Sequence, residues 1–93
     1  MHISKRAEIE INKIFDWCEE NDLDDVDINS QELVLRCESG IYQVNYHGVT
    51  QQIWVSSPVT GAHHFQLKGD VWVSTRCDTK KLWDILTEEL SIQ

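Results

Sequence analysis

The 93-residue sequence has few of the residues and patterns that identify membrane, secreted or zinc-binding proteins. No apolar run approaches the roughly 20 residues that a membrane-spanning helix needs. Its three cysteines include no Cys-x-x-Cys spacing, so we expect free thiols in a reducing compartment and no zinc site. The opening residues 1–6 are soon followed by Glu8 and Glu10, a pattern that matches neither a secretory signal nor an Arg-rich transit peptide.

Arrangements that carry common enzymatic chemistry are also missing from the sequence. It contains no glycine-rich phosphate loop, zinc signature or nucleophile–base–acid arrangement. His63 and His64 are adjacent, and neighbouring strand residues point to opposite faces, so the two cannot chelate one ion together. We find no internal repeat, linker or low-complexity segment, and we therefore predict a single domain over residues 1–93.

Basic residues are scarce, and the acids are unevenly placed. Residues 1–38 hold eleven acids and four bases, a net charge of −7, whereas residues 39–93 hold five acids and four bases, a net charge of −1. An anionic field of this kind disfavours binding to nucleic acid or to an anionic membrane. It favours cations or a basic protein surface as partners of the N-terminal part.

Two segments have the apolar periodicity of amphipathic helices. The first is residues 4–21, with Ser4 as the predicted N-cap, and the second lies near the C-terminus, with Asp78 or Thr79 as the predicted cap. Their predicted buried stripes are Ala7, Ile11, Ile14 and Cys18 in the first helix, and Leu82, Ile85, Leu86 and Leu90 in the second.

Between the helices, apolar and polar residues alternate in about six short runs. Alternation with a period of two is typical of half-buried strands, and hairpin-length connections imply an antiparallel meander. Two amphipathic helices have one apolar sheet face to cover. The sequence therefore predicts an α+β fold, a two-layer α/β sandwich in the order helix, antiparallel meander of about six strands, helix.

Trp54 breaks the expected pattern of the sheet, because alternation places it on the polar face. Ile53 and Val55 point towards the predicted core, whereas Gln52, Trp54 and Ser56 point away from it. A large aromatic side chain on a polar face is either a contact residue or is covered by its neighbours. The same parity makes His63 a packed residue and His64 a surface residue. Trp72, by contrast with Trp54, is predicted to be a core residue.

Acidic residues cluster near the end of the first predicted helix. Asp16, Glu19 and Glu20 are three and four residues apart, so their carboxylates share an exposed face. Acids at this end oppose the helix dipole and repel one another. Carboxylates are suitable ligands for iron, manganese, calcium or magnesium, although a solvated acidic face that only confers solubility would look the same in sequence.

The segment from Gln52 to Gly61, which reads QIWVSSPVTG, resembles the central motif of the frataxin family. The resemblance continues through His63-His64-Phe65, Leu67-Lys68-Gly69-Asp70, Trp72 and Leu82-Trp83-Asp84-Ile85-Leu86, and it covers essentially the whole domain. The N-terminal half resembles the family in pattern: an amphipathic helix that leads into a cluster of acids. The resemblance implies the helix–sheet–helix sandwich already predicted.

The resemblance also implies a function: an iron-binding accessory protein of iron–sulfur cluster assembly that binds the cysteine desulfurase–scaffold complex and modulates sulfur transfer. The alternative is a ferroxidase or iron-storage frataxin that oxidises ferrous iron. We expect a non-enzymatic monomer with weakly bound iron (Fe2+/Fe3+) and no nucleic-acid or membrane partner. It would act in a bacterial-type cytoplasm or, alternatively, in a mitochondrion or a mitochondrion-derived organelle.

Two groups of site residues follow from the resemblance. The family's acidic ridge, which is its metal-binding surface, corresponds here to Asp16, Glu19, Glu20, Asp22, Asp24, Asp25 and Asp27. The family's partner-binding sheet surface, which we call the Trp54 face, corresponds to Asn45, Gln52, Trp54, His64 and Gln66. This chain departs from the family at Asn45-Tyr46-His47, where Asn-Lys-Gln is frequent, and at His64, where mitochondrial members tend to carry a basic residue. Its short tail predicts an incompletely covered groove between the helices unless Ile92 folds back.

Overall fold

A computed structural model describes residues 2–90 of the chain. The predicted role of Ile92 lies outside the described residues. The described elements are α1 (Ile3–Glu20), β1 (Val26–Asn29), β2 (Glu32–Cys37), β3 (Gly40–His47), β4 (Gln52–Ser57), β5 (Gly61–Lys68), β6 (Val71–Ser74) and α2 (Leu82–Leu90).

The six strands form one antiparallel sheet in the order of the sequence, β1-β2-β3-β4-β5-β6. This arrangement confirms the predicted meander and the α+β sandwich. β1 is an edge strand, and its exposed Asp27 and Asn29 suit that position, because charge at an edge discourages further pairing. Within residues 2–90, neither helix is both long and apolar enough to cross a membrane.

The two helices cover one face of the sheet, and the core lies between the two layers. Alternate residues of β2 to β5 point into this core, as the alternation predicts, and the stripes of α1 and α2 meet them. Trp72 on β6 is only 4% exposed, which confirms its predicted position in the core. The buried apolar residues are Ala7, Ile11, Ile14, Cys18, Leu33, Leu35, Tyr42, Val44, Ile53, Val55, Phe65, Trp72, Val73, Leu82, Ile85 and Leu86.

Both predicted helix caps were wrong. α1 begins one residue before Ser4, and its N-cap is His2, whose Nδ1 accepts a hydrogen bond from the Ser4 backbone N–H at 3.1 Å. α2 begins at Leu82, well after Asp78 and Thr79. Its first turn is closed by the Asp84 carboxylate, which accepts the Lys81 backbone N–H at 2.9 Å. In each case a side-chain acceptor two or three residues away satisfies a free N–H of the helix start.

The end of α1 determines where the acidic segment begins. The N–H of Leu23 donates to the Cys18 carbonyl at 2.9 Å, and the N–H of Asp22 donates to the Glu19 carbonyl at 3.4 Å. This pairing is a Schellman motif, with Asp22 in the left-handed conformation at a φ of 62°. Aspartate tolerates this conformation better than most residues other than glycine. The chain therefore turns sharply and leads into β1.

Candidate functional site

Trp54 lies on the sheet face that the helices leave uncovered, and two imidazole rings stack on it. The His47 ring centroid is 3.9 Å from the Trp54 ring centroid, with 12° between the ring planes. The His64 centroid is 4.4 Å away, with 14° between the planes. Because β3 and β5 flank β4 on opposite sides, the two imidazoles approach the indole from opposite sides. Trp54 is half-buried, so its neighbours cover part of the ring, and the predicted partner contact stays a prediction.

Strand register brings the five predicted residues of the Trp54 face together. Asn45, Trp54 and His64 are successive cross-strand partners in one row of the sheet, and Gln52 pairs with Gln66 in a neighbouring row. Gln52 also accepts the indole N–H of Trp54 at 2.9 Å, which holds the ring in the plane of its stack. The structure thus assembles aromatic and amide groups over three adjacent strands.

His47 was not among the predicted residues of the Trp54 face. In the structure His47 is the last residue of β3, paired with Gln52, and its Nδ1 lies 2.9 Å from the Thr50 hydroxyl. The available signal was parity, since His47 follows Asn45 by two residues and therefore points to the same face.

The first part of the acidic ridge is open to solvent. Asp16, Glu19, Glu20, Asp22 and Asp24 are all exposed. Within residues 2–90, none of these five carboxylates takes part in a hydrogen bond or ion pair of the structure, so all five remain available to external cations.

The second part of the ridge is partly neutralised by one arginine on the neighbouring strand. Arg36 on β2 donates to Asp25 at 3.2 Å and to Asp27 at 2.9 Å. Hydrogen bonds to Asp27 and Asp25, together with their charges, raise the pKa of Arg36. The seven predicted acids are therefore not equivalent: two are already paired with a fixed positive charge.

The donor set of the ridge matches weak ion binding at an open surface. Among residues 2–90, no three His, Cys, Asp or Glu side chains are grouped closely enough to hold a metal ion between them. The exposed carboxylates are hard oxygen ligands without an enclosing shell, and such ligands attract divalent cations mainly through charge.

A second polar cluster, centred on Glu89, lies where α2 meets β3, β4 and the turn after β4. The Glu89 carboxylate on α2 accepts hydrogen bonds from the hydroxyls of Tyr42 (3.0 Å), Ser57 and Thr60. Because Thr60 donates its only hydroxyl proton to Glu89, the His63 Nε2 at 2.6 Å must donate to Thr60. The Glu89 cluster therefore includes His63, which is half-buried and points to the helix-covered face, as parity predicts, whereas nothing in the sequence pointed to Glu89.

The protonation of Glu89 is determined by two opposing effects. Burial by itself raises the pKa of the carboxyl group, but hydrogen bonds from Ser57, Thr60 and Tyr42, with the nearby His63, outweigh burial and lower the pKa. Burial and the contact with Glu89 raise the pKa of the Tyr42 phenol. The cluster thus favours an ionised Glu89 and a neutral Tyr42, an arrangement that holds α2 to the sheet.

The three thiols are free and lie in different environments. Cys18 is buried, and burial together with Cys37 raises its pKa to about 11. Cys77 is exposed, and hydrogen bonds from Thr79 lower its pKa. Cys37 is half-buried, with its sulfur 3.3 Å from the Ser39 hydroxyl.

Comparison with known proteins connects this geometry to a family. The family model of the frataxin-like domain matches residues 2–93. The mitochondrial frataxin homologue of Saccharomyces cerevisiae is 40% identical over 67 residues, which are 71% of this chain and 38% of that protein. The mitochondrial homologue of Schizosaccharomyces pombe is 45% identical over 56 residues, which are 58% of this chain and 35% of that protein. The matched part of the chain thus spans little more than a third of the length of each relative.

Solved structures agree with the sandwich. The trimeric frataxin of S. cerevisiae complexed with ferrous iron matches with a TM-score of 0.85 and 32% identity, covering 92% of this chain and 82% of that one. A frataxin from Psychromonas ingrahamii matches with a TM-score of 0.83, covering 95% of this chain and 84% of that one. Its 22% identity supports the shared fold alone.

Proposed function

This chain belongs to the frataxin family, and we propose that it is an iron-binding accessory protein of iron–sulfur cluster assembly. In this proposal it binds the cysteine desulfurase–scaffold complex and modulates sulfur transfer. The observation that carries the proposal is the half-buried Trp54, surrounded by Asn45, Gln52, His64 and Gln66 on the sheet face opposite the helices.

Trp54 is suited to act as the anchor of this contact. Tryptophan is enriched among the residues that dominate protein interfaces, because a rigid indole buries a large area at low entropic cost. Amide side chains around it supply donors and acceptors that fix the orientation of a partner. The indole is already held by its hydrogen bond to Gln52, so little further ordering is needed on binding.

The acidic ridge is the proposed surface for iron, as cargo, and for a basic surface of the desulfurase. The yeast frataxin structure complexed with ferrous iron supports iron binding within the family. In this chain the five unpaired acids, Asp16, Glu19, Glu20, Asp22 and Asp24, are the proposed ligands. Asp25 and Asp27 contribute less, because Arg36 already offsets one of their two negative charges.

We favour a binding role over a ferroxidase role. Catalytic oxidation of ferrous iron is helped by a defined, partly enclosed ligand set, and within residues 2–90 the ridge acids are exposed and form no cluster of three donors. The ferroxidase alternative is supported by two similar yeast frataxin structures that are trimeric, one of them complexed with ferrous iron. Oxygen consumption and sedimentation with and without ferrous iron separate the two: a monomer that leaves the oxidation rate unchanged supports the binding role.

The cellular compartment in which the protein acts is proposed from the names of its relatives. Both curated relatives are named as mitochondrial proteins, which favours the mitochondrial alternative over a bacterial cytoplasm. A fluorescent fusion of the full-length protein, imaged with a mitochondrial marker, tests this assignment.

The central experiment is a binding titration with a purified desulfurase–scaffold complex at two ionic strengths. Trp54→Ala is expected to lose about 2 kcal/mol of binding free energy, with little dependence on salt. Neutralised ridge variants are expected to lose affinity mainly at low salt, because their contribution is electrostatic.

The matched control for this titration is Ile41→Ala. Ile41 is an apolar side chain of the same sheet face and is 51% exposed. The Ile41→Ala variant should bind the desulfurase–scaffold complex with the same affinity as the unmodified chain. Unchanged affinity in a folded Trp54→Ala variant would overturn the proposal.

A further inference from the structure

The stack of His47, Trp54 and His64 has a property that the other residues of the Trp54 face lack. It places two titratable side chains in face-to-face contact with the proposed anchor, at centroid distances of 3.9 and 4.4 Å. Histidine is the side chain whose unperturbed titration falls between about pH 5 and 8. The cover of the indole is therefore built from two ionisable side chains.

No ion pair fixes the charge of either imidazole within residues 2–90. His47 is held through Nδ1 by the neutral hydroxyl of Thr50, and His64 pairs across the sheet with Trp54. On the other side of His64, the Thr75 backbone N–H donates to its carbonyl at 2.9 Å. The charged residues nearest by strand position are Glu32 on β2, Lys68 on β5, Arg76 after β6 and Lys81, which bridges to Val73. None of these four pairs directly with His47, Trp54 or His64 in the sheet.

Protonation of the imidazoles should tighten the stack. A cation held over the face of an indole is attracted by the ring quadrupole, which adds to the stacking of the neutral rings. Repulsion between the two imidazolium ions is weaker than these attractions, because the ions lie on opposite sides of the indole and face solvent, which screens their charge.

We propose that His47 and His64 make the docking of Trp54 dependent on pH. On acidification the two imidazoles become cations, they stack more strongly on the indole, and the indole becomes less available to a protein partner. This inference rests on the proposed function for the identity of the partner, but not for the behaviour of the stack. A partner must compete with both imidazoles for the faces of the indole. Each cation–π contact is expected to weaken binding by about 2- to 5-fold.

The first test uses the free chain labelled with 5-fluorotryptophan, whose four tryptophans give separate fluorine resonances. Trp54→Phe identifies the relevant signal. Between about pH 8 and pH 5.5 the Trp54 resonance is expected to shift and to become less sensitive to a soluble paramagnetic probe. The signals of the other three tryptophans serve as internal references.

Histidine variants establish the origin of that response. His47→Gln with His64→Gln is expected to abolish it, and each single variant to reduce it, so the test does not depend on the folding of the double variant. His63→Gln is the matched control, because His63 is the neighbour of His64 but points to the opposite face. A pH-independent Trp54 signal, or an unchanged response in the histidine variants, overturns the proposal.

The second test titrates the desulfurase–scaffold complex at the same two pH values with the unmodified chain and the double variant. At each pH, the affinity of the unmodified chain is divided by that of the double variant, so that any titration of the partner itself cancels. The unmodified chain is expected to lose more affinity on acidification than the double variant. Equal losses overturn the regulatory role, whereas absence of Trp54-dependent binding at both pH values refutes the proposed function even if the fluorine response is present.

Discussion

The hydroxyl of Ser57, at the end of β4, donates a hydrogen bond to the carboxylate of Glu89 near the end of α2. Ser57 in turn accepts the backbone N–H groups of Val59 and Thr60, both at 3.0 Å. The serine therefore closes the turn after β4 and fastens α2 to it. One carboxylate thus joins α2 to three places on the sheet: β3 through Tyr42, the end of β4, and the β4–β5 turn.

Replacing this carboxylate should destabilise the fold in a pH-dependent way. Because Glu89 has a lowered pKa in the folded state, it contributes stability above its ordinary pKa of 4.5, and that contribution is lost as the pH falls through the lower folded value. Glu89→Gln is expected to cost about 1–3 kcal/mol at neutral pH, because charge-assisted hydrogen bonds are lost. The difference from the unmodified chain should shrink in acid.

Chemical denaturation at neutral pH and at about pH 3 measures this difference. The neighbouring Glu88→Gln is a suitable control, since Glu88 forms an exposed ion pair with Lys80 and should matter much less. A stability gap for Glu89→Gln that stays constant with pH would show that the charge of Glu89 is unimportant.

The two tryptophans of β4 and β6 should differ sharply in their contribution to stability. Trp72 is 4% exposed, so Trp72→Ala should cost roughly 3–5 kcal/mol of unfolding free energy. Trp54→Ala removes a half-buried ring and its stacking partners, and it should remain folded with a clearly smaller loss. Thermal melts of both variants make the comparison, and equal losses would place Trp54 in the structural core.

Neutralising the unpaired part of the acidic ridge should weaken metal binding while it strengthens the fold. Asp16→Asn, Glu19→Gln, Glu20→Gln and Asp22→Asn together should reduce the binding of ferrous iron, expected at about micromolar to millimolar strength. They should also raise stability by a few tenths of a kcal/mol, roughly, for each repulsive pair removed. Asparagine tolerates the left-handed conformation of residue 22, so the helix end should be preserved.

The paired part of the ridge provides the contrast. Asp25→Asn with Asp27→Asn removes the same kind of charge but leaves Arg36 without its partners, so no gain in stability is expected. Calorimetric iron titrations and melting curves of both variants test the distinction. Unchanged iron binding and lower stability in the fourfold variant would refute the assignment of the ridge.

The three cysteines should react with iodoacetamide in a fixed order. The thiolate is the reactive form, so exposed Cys77, whose pKa is lowered by hydrogen bonds from Thr79, should be modified first. Buried Cys18, with a pKa of about 11, should react only on unfolding. Mass spectrometry of timed samples measures the order, and Thr79→Val should slow modification of Cys77 alone. Early modification of Cys18 in the folded chain would contradict its burial.

Alternation and helical periodicity determined most of the architecture in advance. A strand has a side-chain period of two, so the sequence places Ile53 and Val55 in the core and Trp54 on the other face whatever the details of packing. In the same way, the period of α1 placed Cys18 inside and Asp16, Glu19 and Glu20 outside. These properties follow from local geometry, which the sequence specifies directly.

Contacts between distant residues were decided only by the tertiary structure. Glu89 lies 32 residues from Ser57, and Arg36 lies 11 residues from Asp25, so no local pattern shows that they meet. The stack of His47 on Trp54 depends on the register between β3 and β4 and on the extent of β3 beyond Asn45. Side-chain packing across strands, rather than the period of one strand, therefore determined which groups cover Trp54 and which acids of the ridge remain unpaired.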